Sequence, residues 1–475
     1  MAGSRRKKHA ATANSEPPIE LTTPSQSTHP HSKEHLHLPR YNHNGHLVTK
    51  GIHPDGESGR KGVHPWHFLR ICFRSTSTAS KIVNVLWPVV PAAIAIHFAR
   101  PDLHLWVFSL NYIAMIPAAN LVGFAGQELA RKLPRVIGVL LETFLGGIVE
   151  IVLFMVLLHN SSNDSLIPVI KAAILGSILA NLLLCLGFCF LVGGLWRHEQ
   201  EFHEAISEVG SGLMLVAGFG LLIPCAFSTA LTGSVDINET QLRADVLTIS
   251  RATSIVLLFA FLLYVWFQMR SHHTMYDEVL GADEEKDEDR HKDLKKDKLT
   301  LTECVVALII ALTCVSLHAV FLVEGIEYIV NEKHVSDSFM GLILVPLVEK
   351  FAEHLTAIDE AWDNQMNFAL AHVLGATIQT ALFNSSLVVI VGWGLHKSMD
   401  LNFEIFMLVC LILSILVVGN FLRDGKSNYL EGALCVLVYI IIAVTTWYYP
   451  SPRPGTANTA EAGAGEVARS FRRGY

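Results

Sequence analysis

The stretch Val348-Glu349-Lys350-Phe351-Ala352-Glu353-His354 places four ionisable side chains within seven residues, between Leu342-Ile343-Leu344-Val345-Pro346-Leu347 and Leu355-Thr356-Ala357-Ile358. Carboxylates and ammonium groups are costly in hydrocarbon, so they are few there, face a bundle interior or wet cavity, and mark pathways for ions or protons. A short amphipathic helix in a soluble core would give the same pattern, so the rest of the chain must decide.

Of 475 residues 51% are hydrophobic and only 17% charged, too apolar for an ordinary solvated surface. An integral membrane protein is the reading. A formal net charge of -7 argues against a nucleic-acid partner, which would need clustered Lys and Arg. Seven of the eight cysteines lie inside apolar runs and no CxxC pair is present, so they read as packing residues.

Residues 1–80 read as a disordered cytosolic tail, rich in His and opened by Arg5-Arg6-Lys7-Lys8 rather than by a cleavable apolar leader. Its histidines, such as His29, His31, His35 and His37, suit a solvated low-complexity segment better than a metal site. From Lys81 onward apolar runs recur, each long enough for a helix of about 20 residues to cross a bilayer. Eleven are expected: 82–98, 104–125, 137–158, 171–195, 209–231, 246–269, 303–324, 338–359, 367–395, 403–421 and 430–449. Between the sixth and seventh, Asp277 to Lys298 carries ten acidic and six basic side chains and reads as a hydrophilic linker. It lacks the alternating ligands and Gly of an EF-hand loop. The linker, taken as 271–300, separates a first block (104–270) from a second (301–449), and residues 450–475 read as a second disordered tail.

Lys and Arg cluster before the first run (Arg70, Arg74, Lys81), after the second (Arg131, Lys132, Arg135), after the sixth and after the tenth, which puts those sides and the N-terminus in the cytosol. The N-x-Ser/Thr sequences at Asn160, Asn163 and Asn238 fall in loops that this scheme makes luminal.

The first block contains a partner to the opening stretch. Gly146-Gly147-Ile148-Val149-Glu150 is followed by Gly176-Ser177-Ile178-Leu179-Ala180-Asn181, as Glu349-Lys350-Phe351-Ala352-Glu353 is by Gly375-Ala376-Thr377-Ile378-Gln379-Thr380. The corresponding positions lie about 200 residues apart, the mark of a duplication. Five helices per block is an odd number, so the second block would enter the membrane from the opposite side. The expected architecture is therefore an all-α integral membrane protein of eleven transmembrane helices, one N-terminal helix plus two inverted five-helix repeats, with its site near the midplane. Glu150 and Glu353 would face each other there. Two carboxylates in one desolvated pocket favour protonation when empty, whereas a hard cation favours both ionised, so cation and protons compete for them. Gly146, Gly147, Gly176, Ser177, Gly375 and Ala376 would allow close helix approach or local unwinding, or serve as packing contacts only.

These residues resemble the calcium/proton exchangers of the cation/calcium exchanger superfamily, particularly the fungal and plant vacuolar members, over most of residues 80–450. The likeness rests on Phe124-Ala125-Gly126-Gln127-Glu128, Leu175-Gly176-Ser177-Ile178-Leu179-Ala180-Asn181, Leu221-Leu222-Ile223-Pro224, Ser250-Arg251-Ala252-Thr253-Ser254, Phe339-Met340-Gly341-Leu342-Ile343-Leu344-Val345-Pro346 and Ala352-Glu353-His354. The resemblance implies that Glu150 and Glu353 are paired cation ligands, with Ser177, Asn181 and Gln379 as polar neighbours. It further implies calcium moved into a vacuole or other endomembrane compartment in exchange for protons, with no cofactor. The partners implied are the bilayer, metal cations and protons; the choice between a monomer and a homo-oligomer stays open.

The departures from the family pattern fall in the site. Gly147 stands where the family has Asn, Glu349-Lys350 replaces a Gly-Asn pair, Ala180 replaces Ser, and Gln127 and Val320 replace glutamates. Lys350 either pairs with Glu349, Glu353 or Glu150 as a tethered charge in the cation site, or snorkels away from it. Glu142 either restores a ligand or pairs with Lys350, and His354 completes the set of site modifiers. Two functions therefore stand: a cation/proton antiporter, or a divergent membrane paralogue with altered specificity or silent transport and a scaffold role. Enzyme chemistry is the weakest reading, because Glu353-His354 has no second His at zinc spacing and no hydrolase nucleophile motif is present.

Overall fold

A computed structural model describes Tyr41, Gly45 and residues 47–450, apart from 162–163, 233–237, 288–289 and 334, and apart from the side chains of 291, 327 and 331. The tail histidines before Tyr41, the C-terminal tail from Ser451, and the sequons that include Ser162 and Asn163 lie outside the described residues.

The apolar runs become helices because each keeps its backbone hydrogen bonds internal, as hydrocarbon demands. In order they are α1 (Pro65–Arg74), α2 (Thr78–Val83), α3 (Val89–Ala99), α4 (His104–Ala130), α5 (Arg135–Asn160), α6 (Ile167–Leu179), α7 (Leu186–Gly194), α8 (Glu204–Leu231), α9 (Glu239–Trp266), α10 (His273–Lys286), α11 (Arg290–Lys295), α12 (Leu301–Lys333), α13 (Asp337–Phe339), α14 (Val345–Glu349), α15 (Phe351–Trp362), α16 (Met366–Ile378), α17 (Ser385–Gly394), α18 (Ile405–Phe421) and α19 (Tyr429–Trp447). The pairing of Gln200 with Ser427 and Glu201 with Lys426 makes a two-residue antiparallel ribbon. Among the described residues, nine helices or helix pairs are long and apolar enough to cross a membrane, and Ile405–Phe421 is a shorter apolar one.

Burial separates the helices into two kinds. In the most apolar 18-residue stretch of Ile167–Gly194 and of Met366–Gly394, 83% of the residues are buried within the protein, against 22% in those of Thr78–Ala99 and Glu239–Ser271. The first pair is central, and the second exposes rows such as Ile255, Val256, Phe259, Leu262 and Leu263. A soluble protein seldom shows so wide an apolar face, and a multi-pass membrane protein needs one. Each central span contains a π-helical segment at the corresponding place, Ala180–Cys185 and Gln379–Asn384. Such segments loosen a helix and turn side chains that a regular helix would aim elsewhere.

Three expectations change. The run 338–359 is not one regular helix: a π-helical segment spans Met340–Leu344, and the helix breaks at Lys350, where φ is -91° and ψ -2°. The charged linker contains α10 and α11, because Tyr276, Leu280 and Asp283 recur on one face and are buried. The last part of the presumed N-terminal tail is folded, with Phe68 and Ile71 of α1 in the core.

Lys132 Nζ donates to the carbonyls of Gly56 and Leu299 at 2.6 Å, and Arg60 donates to the Lys298 carbonyl at 2.8 Å. Asp283 accepts from the backbone N–H of Asn367 at 2.6 Å and of Phe368 at 3.3 Å, satisfying orphan donors at the start of α16. Arg135 meets Glu284 at 3.0 Å. The linker is thus tied to both α5 and α16. Burial, with Arg131 nearby, pushes the Lys298 amine down to about 7.

Candidate functional site

Glu150 is fully buried on α5, and its Oε2 gathers three donors. Thr380 Oγ1 lies at 2.8 Å, Asn384 Nδ2 at 2.9 Å and Lys350 Nζ at 2.8 Å. Thr380 and Asn384 are four residues apart in the π-helical segment, on one face of the strand of chain that passes Glu150. Lys350 Nζ also lies 3.2 Å from Glu353 Oε2 and 3.4 Å from Glu353 Oε1. One ammonium, 1% exposed, therefore sits between the two carboxylates that the sequence pairs. Of the two readings of Lys350, the tethered charge is the one observed.

The break at Lys350 is what permits this. Glu349 and Lys350 end one helical segment and Glu353 lies in the first turn of the next, so adjacent residues need not keep regular helical directions. Glu349 turns to Ser177 on α6, whose hydroxyl donates to its Oε1. His354 Nε2 lies 3.1 Å from Asn181 Oδ1. Burying a carboxylate or an imidazole is costly unless partners offset it, and Ser177 and Asn181, which meet Glu349 Oε1 and His354 Nε2, both come from the other block.

Glycines make the room. A Cβ on Gly146 would run into the Glu353 carboxylate, and one on Gly147 would run into the Gln379 amide nitrogen. Gly176 and Gly341 do something different: a Cβ on either would collide with backbone, of Leu342 and of Val169 respectively, so α6 and the Met340–Leu344 segment cross in backbone contact. Tyr112 donates to the Leu344 carbonyl in that segment at 2.7 Å.

Of the two readings of Glu142, the structure sets aside pairing with Lys350: Glu142 Oε2 lies 3.5 Å from His372 Nε2, while His372 Nδ1 lies 2.8 Å from Glu360 Oε2. Thr380, Asn384, Glu360 and His372 were not foreseen. A signal existed for Thr380 and Asn384, polar residues four apart in a central apolar run, but none for His372 and Glu360, which meet only in space.

A cavity is lined by Glu142, Glu349, Glu353, His354, Asn181 and His372, among others. A wider one adjoins it, lined by Gln127, Arg131, Arg135, Glu284, Arg290 and Glu360 and again by Glu142, Thr356 and His372. Among the described residues, three buried oxygens at the centre have no hydrogen-bond partner: Glu150 Oε1, Glu349 Oε2 and Asn384 Oδ1. Hard cations take such oxygens as ligands.

The family model described as "Sodium/calcium exchanger protein" matches residues 103–270 and 304–448. The "Vacuolar cation/proton exchanger 2" of Oryza sativa subsp. japonica is 32% identical over 372 residues, 78% of this chain and 82% of that relative. The "Ca(2+)/H(+) antiporter" of Aphanothece halophytica is 32% identical over 366 residues, 76% of this chain and 95% of that relative. Among solved structures, native YfkE superposes with a TM-score of 0.60 at 27% identity, covering 77% of this chain and 100% of that one. With both blocks matched and the likeness running through α5, α6, α15 and α16, the chain belongs to the sodium/calcium exchanger family, in which proteins are secondary transporters rather than enzymes.

Proposed function

We propose that this protein is a cation/proton antiporter that carries calcium into a vacuole or related compartment, using Glu150 and Glu353 as the exchanging carboxylates. The observation that carries the reading is the Lys350 ammonium held at 2.8 Å from Glu150 and 3.2 Å from Glu353, because a pocket that seats one cation between two carboxylates is built to seat cations. The relatives bearing the words cation/proton exchanger and Ca(2+)/H(+) antiporter support this over a transport-silent role. Ser177, Asn181 and Gln379 are proposed as polar neighbours, joined by Thr380 and Asn384.

The proposed layout is eleven crossing segments, one followed by two inverted repeats of five, with the N-terminus and the linker in the cytosol. Matching π-helical segments at Ala180–Cys185 and Gln379–Asn384, and the paired central burial of their spans, support the duplication. On this plan the two halves rock about a fixed central site.

Exchange then follows from competition. When calcium is absent, Glu150 and Glu353 are compensated by Lys350 and by protons. Calcium entering the cavity draws both carboxylates into the ionised state and the ammonium must withdraw, for which the helix break at Lys350 supplies a hinge. The test is calcium-45 uptake into acid-loaded proteoliposomes. Glu150→Gln and Glu353→Gln are each expected to reduce it to background; uptake at wild-type rate in both would sink the assignment.

A further inference from the structure

Where the two cavities adjoin, Glu142, Thr356 and His372 line both, and Glu142, His372 and Glu360 stand in an arrangement that the cation site does not use. His372 of α16 stands with Nδ1 at 2.8 Å from Glu360 of α15 and Nε2 at 3.5 Å from Glu142 of α5. Glu360 lines only the outer, wider cavity, while His372 and Glu142 line both, and Glu353 lines the inner one. Each ring nitrogen thus faces a carboxylate on a different side. A chelate would point its ligands at one spot. This row instead passes from outer cavity to inner cavity through the two nitrogens of one ring.

We propose that Glu360, His372 and Glu142 form a proton relay between the outer cavity and the central site, separate from the route of the cation. The proposal rests on the antiport reading above. A proton released from Glu353 reaches Glu142 through the inner cavity that both line. Glu142 gives it to Nε2 of neutral His372, whose hydrogen is on Nδ1; the imidazolium then gives the Nδ1 proton to the Glu360 carboxylate, which releases it to the outer cavity. One proton has entered at Nε2 and one has left at Nδ1; the starting tautomer returns when Nε2 gives its hydrogen to water of the outer cavity, which His372 lines, and Nδ1 takes one from the same water, with no net transfer. Running the steps backwards carries a proton inward. The charged groups around the ring suit such traffic. Besides Glu142 and Glu360 they are Glu353 on α15, Asp283 on α10, which acts on Glu360, and Arg131, which acts on Glu142. An imidazole, with two ring nitrogens that can each bind and release a proton, is the side chain suited to pass one on.

A relay makes a prediction that a packing role does not. Calcium-45 exchange against unlabelled calcium at equal pH on both sides moves no net proton, whereas uptake driven by a pH gradient moves protons in every cycle. Both are measured on full-length protein in proteoliposomes, with an interior pH dye reporting proton movement. His372→Gln and Glu360→Gln are each expected to slow gradient-driven uptake and proton release at least tenfold and leave calcium self-exchange within twofold of wild type. Equal loss of both activities in both variants, or no loss in either, overturns the relay. If wild-type protein catalyses self-exchange but gradient-driven uptake never appears, the antiport reading fails and takes the relay with it; if wild type does both and the variants match it, only the relay falls.

Discussion

Lys350 concentrates the chemistry of this molecule into one side chain. A fully desolvated ammonium is tolerated only where carboxylates meet it, and Glu150 and Glu353 do so at 2.8 and 3.2 Å. At the site proposed above, a transported cation competes with an intramolecular one whose local concentration never falls. Replacing the ammonium with a neutral amide removes that competitor and returns a carbonyl oxygen to the pocket. Lys350→Asn is therefore expected to lower the KM for calcium about tenfold, equivalent to about 1.4 kcal/mol of binding. Calcium-45 uptake across a concentration series in proteoliposomes measures this. A KM that stays put, or rises, would mean that the ammonium supports the cation site rather than occupying it.

Two glycines of the first block, one on α5 and one on α6, do opposite work. Gly176 lies against the Leu342 backbone, with the carbonyl carbon 2.7 Å from where a Cβ would be, and backbone cannot step aside without parting α6 from its neighbour. Gly147 faces only the amide end of Gln379, which can rotate away. Gly176→Ala is expected to cost about 1–3 kcal/mol and Gly147→Ala less than about 1, read as the drop in Tm of detergent-solubilised protein. Equal drops would show that the two crossings are alike. The sequence made the helices legible because twenty-residue apolar runs have few alternatives, and it made Glu150 and Glu353 legible because charge in such runs is rare. It concealed the π-helical segments Ala180–Cys185 and Gln379–Asn384, which carry neither Pro nor Gly, and it left Gly341 and Pro346 readable as packing residues of one continuous helix rather than as marks of a distorted one. It concealed α10 as well: the charge density of 277–298 masked Tyr276, Leu280 and Asp283, whose spacing is that of a helix with one buried face. The partner of Glu142 stayed open because spacing along α5 fixes which turn a residue occupies but not which neighbouring helix it meets; the structure sets it against His372 and not Lys350.

The linker ties the starts of two helices from different blocks, reaching α5 through Arg135 and Glu284 and α16 through Asp283 and Asn367, and it borders the outer cavity through Glu284, Arg290, Asp293 and Lys298. Lys298 gives this brace a titratable element. Its Nζ donates to the Asp293 carbonyl at 2.9 Å, yet burial foremost, and Arg131 next, hold the amine near 7 against an ordinary 10.5, with Glu128 and Asp293 opposing and Lys296 adding to the depression. Between those two values the undocked segment binds a proton that the docked segment excludes, so docking is strongest at high pH and weakens as pH falls toward 7, with no further change below. The limiting slope for one proton is about tenfold in the docking equilibrium per pH unit. Hydrogen exchange of the amides between 290 and 298, expressed as protection factors to remove the intrinsic pH dependence of exchange, is expected to show protection falling from pH 9 to pH 7 and then levelling. Lys298→Met keeps the buried methylenes and removes the titration, so its profile should be flat over the same range. A wild-type profile as flat as the variant's would mean that the amine stays charged when docked, and that the linker braces the outer cavity without sensing the pH on its own side.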